Sequence, residues 1–101
     1  MTPEPDALEV ATRALARRDF SERGLRERLR RAGVTETAEE EALAALQRAG
    51  VIDDGRFARA RAEALAQRGK GDAAIRFDLS RQGVSSELAE EALASLEPER
   101  T

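Results

Sequence analysis

The sequence predicts an all-α protein made of two tandem three-helix units, and three observations lead there. The first is repetition. Residues 21–46, moved by fifty positions, fall on residues 71–96: Leu25 lands on Ile75, Leu29 on Leu79, and Gly33-Val34 on Gly83-Val84. Glu40-Glu41-Ala42-Leu43-Ala44 lands on Glu90-Glu91-Ala92-Leu93-Ala94, and Ala14-Leu15-Ala16 on Ala64-Leu65-Ala66. The second is apolar spacing of three and four residues, the mark of helices with one inward face. The third is that no segment alternates with a period of two, as a half-buried strand would. A fixed period of this length marks units that stack on one another, and such arrays generally bind partners rather than enclose a reaction. The expected form is elongated, with repeats at residues 1–50 and 51–101 joined through Gly50-Val51-Ile52.

Six helices follow in order. The first is expected over Pro5 to Arg18, with Thr2, Pro3 and Glu4 as start signals and Ala7, Leu8, Ala11, Ala14 and Leu15 facing inward. Ser21 can cap the second, whose stripe of Leu25, Leu29 and Ala32 stops at Gly33, a candidate left-handed terminator. Thr35 or Thr37 can cap the third, and Thr37 with Glu40 has capping-box spacing. Gly50 closes it. Asp53 or Asp54 caps the fourth, which closes at Gly69. The fifth spans Gly71 or Asp72 to Gly83, and the sixth runs from Ser85 or Ser86 to about Leu96.

Two residues break the pattern. Arg61 falls on the inward stripe of the fourth helix where the first copy has Ala11, so its head should reach water or an acid such as Glu63 or Asp54. Phe77 replaces Glu27 of the first copy and is either a contact residue or cover for a seam between the units, the latter favoured.

Composition removes whole classes of function. The 101 residues contain neither His nor Cys, which excludes disulfides and thiolate metal sites and fits a reducing cytoplasm. No apolar run approaches membrane-spanning length. General acid-base and nucleophilic catalysis need a shielded base or an activated nucleophile. The serines here sit at helix starts, and Glu39, Glu40 and Glu41 are consecutive and so spread around their helix. Asp53-Asp54 is an acidic pair best read as a helix cap, with too few oxygens for a divalent metal. Gly69-Lys70-Gly71 lacks the spacing and preceding strand of a P-loop. No catalytic residue, metal or cofactor is expected.

The net charge of −3 conceals segregation. Arg13 to Arg31 holds eight arginines against three acids, and Thr35 to Asp54 holds six acids against one arginine. The second copy repeats the order, basic over Arg56 to Gln82 and acidic from Ser85 onward. Such a pattern suits both a solvated helical surface and a basic strip for an acidic partner. A short glycine turn joins the second and third helices, as in a helix-turn-helix, but the helix that would enter the major groove is the glutamate-rich one. Nonspecific backbone contact remains open. Arg23, Arg26 and Arg30 share about a 60° arc of the second helix at ~100° per residue, suited to phosphates or carboxylates.

At this point the residues resemble the RecX regulatory proteins. The strongest local match is Ile52-Asp53-Asp54-Gly55-Arg56-Phe57-Ala58, which looks like that family's signature at the start of its second repeat. Arg68-Gly69-Lys70-Gly71, then Ile75, Leu79 and Gly83-Val84, follow the family's spacing. Ala14-Leu15-Ala16-Arg17-Arg18-Asp19-Phe20-Ser21 with Leu25 and Leu29 resembles its first repeat. The similarity covers about residues 7–96.

The chain also departs from the family, with Gly24 where a glutamate is common, Val51 where many members have an aromatic, and two repeats where typical members have three. The resemblance implies a cytoplasmic, non-catalytic modulator of the RecA filament on single-stranded DNA in DNA repair and the SOS response. It further implies restraint of ATP hydrolysis and strand exchange; a monomeric chain with weak direct DNA contact is expected alongside. On that reading Arg23, Arg26, Arg30, Arg56, Lys70 and Arg76 are expected to meet the partner. Asp53, Asp54, Phe57, Gly69 and Gly71 are expected to shape the repeat. The alternatives are a nonspecific nucleic-acid-binding module and a scaffold for another protein.

Overall fold

The computed structural model describes residues 4–96, and these form six helices with no strand among them. They are α1 (Ala7–Arg17), α2 (Glu22–Arg31), α3 (Glu36–Arg48), α4 (Asp54–Gln67), α5 (Asp72–Arg81) and α6 (Ser86–Ala94). Short polar side chains set the starts. Asp6 Oδ1 accepts from the amides of Leu8 and Glu9 at 3.0 and 3.2 Å, which moves the start of α1 from Pro5 to Ala7. The start signals Thr2 and Pro3 lie outside the described residues. Ser21, Thr35 and Ser85 cap α2, α3 and α6 through amides three residues on. Thr37 is already inside α3, so the expected Thr37–Glu40 box does not form the start.

The ends are set by glycine. Gly33, Gly50, Gly69 and Gly83 all have φ between 71° and 89°, the left-handed region. In each case the following amide reaches back five residues, Val34 to Leu29, Val51 to Leu46, Lys70 to Leu65 and Val84 to Leu79, at 2.9 to 3.1 Å. These bonds satisfy carbonyls that a helix end otherwise leaves unpaired. Val34 and Val84 then turn into the core. α1 ends differently, through an extended Arg18 that delivers Phe20 and Ser21 to buried positions. Gly24 answers to that arrangement, because a Cβ there would lie 3.2 Å from Ser21 Oγ and 3.5 Å from the Phe20 ring.

The chain divides after Asp53 into two compact units. In the first, α1 packs on α2 and α3, and α2 on α3; in the second, α4 packs on α5 and α6, and α5 on α6. Leu25 and Leu29 are fully buried at the centre of one, Ile75 and Leu79 at the same positions of the other. Each such side chain contributes roughly 1.5–3 kcal/mol by leaving water. Ile52 belongs to the core of the first unit, although the sequence reading puts it in the link, within the second repeat. Each core holds one phenylalanine, Phe20 in the first and Phe57 in the second.

The first helices of the two units are not related by the fifty-residue shift that relates the others. α1 buries Ala7, Ala11 and Ala14, whereas α4 buries Ala58, Ala62 and Leu65. The buried faces therefore match at a shift of fifty-one, a rotation of ~100° about the helix axis. Ala62, not Arg61, takes the place of Ala11. Arg61 lies at the edge of the stripe, and its guanidinium grips Asp78 on α5 at 2.6 and 2.9 Å, in place of the expected Glu63 or Asp54.

Two glycines two residues apart should respond to substitution with opposite sign. Gly69 has φ +83° in open space, so Gly69→Ser should cost about 1–2 kcal/mol through backbone strain alone. Gly71 occupies the start of α5 at φ −85° with no side-chain cap. Gly71→Ser should add a few tenths of a kcal/mol (~0.3) by supplying that cap. Urea unfolding of the two variants checks both.

Candidate partner-binding surface

The cations singled out in the sequence occupy three different situations. Arg26 is drawn against α3. Its guanidinium bonds Glu39 at 2.6 Å and Glu40, with Glu22 at 3.9 Å, and its side chain is only 23 % exposed. Arg30 meets the same Glu39 through Nε at 2.9 Å and a second nitrogen at 3.3 Å. Arg76 makes a two-pronged bond to Glu90 at 2.6 and 3.0 Å. These three hold the second helix of a unit to its third, so a partner could reach their charge only by displacing a carboxylate. Arg26–Glu40 and Arg76–Glu90 are the same contact fifty residues apart.

Arg23, Arg56 and Lys70 stand exposed. Arg23 lies 3.7 Å from Glu27 one turn on, an exposed pair of small energetic weight. Arg56 is in the first turn of α4, and Lys70 lies between α4 and α5. Among the described residues, Arg28 and Arg31 on α2, Arg59 on α4, and Arg68 are also exposed and have no carboxylate within ion-pair distance. Arg28 and Arg31 are three residues apart and therefore neighbours on the helix surface. The sequence reading passed over them because it followed the arc containing Arg23, Arg26 and Arg30.

The residues expected to shape the repeat lie at its joints. Asp54 opens α4, where a carboxylate faces the positive end of the helix dipole, and Asp53 immediately precedes it. Phe57 is buried on the inner face, Gly69 ends α4, and Gly71 starts α5.

Sequence reasoning missed Glu39. It is 1 % exposed, directly below Ala42 and Leu43 on the inner face of α3, and it is matched by buried Ala89 in the second unit. Bonds from Arg30, then Arg26, hold its carboxyl below the usual range, overcoming the opposing effect of burial. Asp78 is lowered in the same direction by Arg61.

A hollow of about 320 Å³ lies between α1 and α3, lined by Pro5, Asp6, Leu8, Ala38 and Glu41 among others. Asp6 is committed to capping there, and no nucleophile–base pair lines it. Among the described residues no group of three or more acids could hold a metal ion, and no helix is long and apolar enough to cross a membrane.

The lowered carboxyls fix the sign of the pH response. A folded-state pKa below the unfolded one gives stability that is complete above the unfolded value, near 4.3, and is lost as pH falls through the folded value. Stability should therefore decline below about pH 5, and Glu39→Gln should flatten that decline. At neutral pH the same substitution should cost about 1–2 kcal/mol, because two arginines lose their charged acceptor. Denaturant unfolding from pH 3 to 7 measures both.

Comparison with known proteins bears on the fold and on the second unit. Residues 53–93 match the family model described as RecX, second three-helix domain. The chain is 45% identical over 62 residues to the "Regulatory protein RecX" of Syntrophotalea carbinolica (strain DSM 2380 / NBRC 103641 / GraBd1). That match covers 61% of this chain and 40% of the relative. In fold, the chain resembles the crystal structure of RecX from Lactobacillus salivarius with a TM-score of 0.84 at 22% identity, over 87% of this chain and 58% of that one. The chain thus spans well under two thirds of the length of either protein. The Asp53-Asp54 start, the glycine-closed α4 and the helix order after it fall within the matched residues, and over them the chain is similar to the second three-helix domain of RecX proteins.

Proposed function

We propose that this chain binds the RecA filament on single-stranded DNA and restrains its ATP hydrolysis and strand exchange, acting in the cytoplasm as a non-catalytic regulator. The observation that carries the proposal is the similarity of residues 53–93 to the second three-helix domain of RecX and of 62 residues to a regulatory protein RecX. Exposed, carboxylate-free cations in both units support it. Such cations suit an acidic protein surface or the phosphates of the enclosed strand.

The contact surface on this reading comprises Arg28 and Arg31, together with Arg23, Arg56, Arg59 and Lys70. Arg26, Arg30 and Arg76 belong to it through the helices they hold in place. Contacts from both units would reinforce one another through high local concentration. A second reading, direct nonspecific binding to nucleic acid, draws on the same exposed cations and is separated by its steep loss with added salt.

The deciding measurement is RecA-dependent ATP hydrolysis on single-stranded DNA with and without the purified chain. Inhibition well below the concentration needed to bind bare single-stranded DNA supports the proposal. Equal affinity for bare strand and filament would remove its basis. Arg28→Glu with Arg31→Glu should weaken inhibition about ten-fold or more while changing stability by less than about 0.5 kcal/mol. Arg26→Ala should instead lower the unfolding midpoint, because it strips Glu39 and Glu40 of a shared donor.

A further inference from the structure

α1 is held to its unit differently from the other helices. Arg26 and Arg30 bond Glu39 and Glu40, and Gln47 donates to Glu22, so side chains tie α2 to α3. In the second unit Arg61 ties α4 to α5, and Arg76 ties α5 to α6. Among the described residues α1 makes no such bond to another helix. Asp6 caps its own first turn, Thr12 donates to the Leu8 carbonyl and Arg13 pairs with Glu9, all within the one element.

Its apolar hold is slight as well. The buried side chains of α1 are Ala7, Ala11 and Ala14, one methyl each, with Val10 and Leu15 only partly covered. α4 buries Phe57 and Leu65 beside its two alanines. Stabilisation follows the apolar area removed from water, so the alanines secure α1 less firmly. The hollow between α1 and α3 is lined by Leu8, itself 47 % exposed, so the first turn is not packed down on its neighbour.

The joint behind α1 suits a hinge. No glycine closes the helix; Arg18 is extended at φ −164° and ψ 166°, and Arg18 and Asp19 are both exposed. Immediately beyond, Phe20 and Ser21 are buried and anchor the chain to the first unit.

From this we infer that α1 is a detachable cover, leaving and rejoining the first unit as one piece that turns at Arg18-Asp19 while α2 and α3 stay folded together. Elements with few buried apolar contacts are the ones that open locally below the free energy of global unfolding. The Asp6 cap and the Arg13–Glu9 pair travel with the helix. Eleven residues are marginal as an isolated helix in water, so α1 frays once lifted and reforms on return. Each opening bares the apolar side of α2 and α3, which makes α1 the element that controls exposure of the first core.

Native-state hydrogen exchange over a range of sub-denaturing urea tests this. The amides of Ala11, Ala14 and Leu15 should share one opening, about 100-fold or more less protected than those of Leu29 and Leu43 and with a weaker urea dependence. Equal protection and urea dependence in all three helices would overturn the inference, as would graded exchange along α1 with no common opening. Ala11→Asp, which puts a charge beneath α1, should strip that helix of protection while Leu29 and Leu43 keep most of theirs. Joint loss from the three helices would show α1 to be integral to the core and overturn it. Because the described residues hold no cysteine, Leu8→Cys with Ala38→Cys, both lining the hollow, can be bridged by a short bis-maleimide. The bridge should raise protection of α1 about ten-fold or more over the unbridged double variant, and no change would overturn the inference.

Discussion

In each unit a guanidinium on the second helix is held by a glutamate fourteen residues later on the third, Arg26 by Glu40 and Arg76 by Glu90. Almost everything else about the surface follows from that clamp. The helices it joins are short, and their facing cores lean on alanine, which buries little area per residue. A charged bond across such a joint fixes the rotation of one helix against the other, where apolar contact alone specifies angle weakly. Its energy is modest in the second unit, where both partners are about half exposed. Its geometric effect is to decide which arginines look inward and which remain available.

The first unit adds to the clamp what the second omits. Glu39 enters the apolar interior and collects both Arg26 and Arg30, while the second unit puts Ala89 at that place and ties Arg61 to Asp78 elsewhere. The two copies thus keep the same backbone plan and diverge in how charge is neutralised. One outcome is a second helix that is charged over its outer side in the first unit and partly apolar in the second. This divergence after duplication is what would let two similar units make different contacts with one assembly.

The helical plan was legible in the sequence because caps and terminators are local. Ser21, Thr35, Ser85 and the four left-handed glycines act within a few residues, so their spacing declares them. Long-range pairing was not legible. A uniform fifty-residue shift puts Arg61 at the inward place of Ala11, whereas burial shows the first helices displaced by one residue. Glu39 was read as one of three acids spread around a helix. Its spacing of three and four from Ala42 and Leu43, together with Ala89 in the other copy, held the signal. For the arginines, the basic helix is legible in the sequence, but which heads are engaged depends on α3 and α6, nine to fourteen residues away.

Lys70, exposed between α4 and α5, is the single lysine of the chain, and there is no histidine. Every other cationic side chain is a guanidinium, which keeps its proton throughout the physiological range. The electrostatic pattern is therefore set by the sequence and insensitive to changes between about pH 6 and 9. Acetylation of the lysine could alter it at this one side chain, beside the start of α5. Amine-directed labels and crosslinkers would report from that same spot and, apart from the chain's N-terminus, nowhere else.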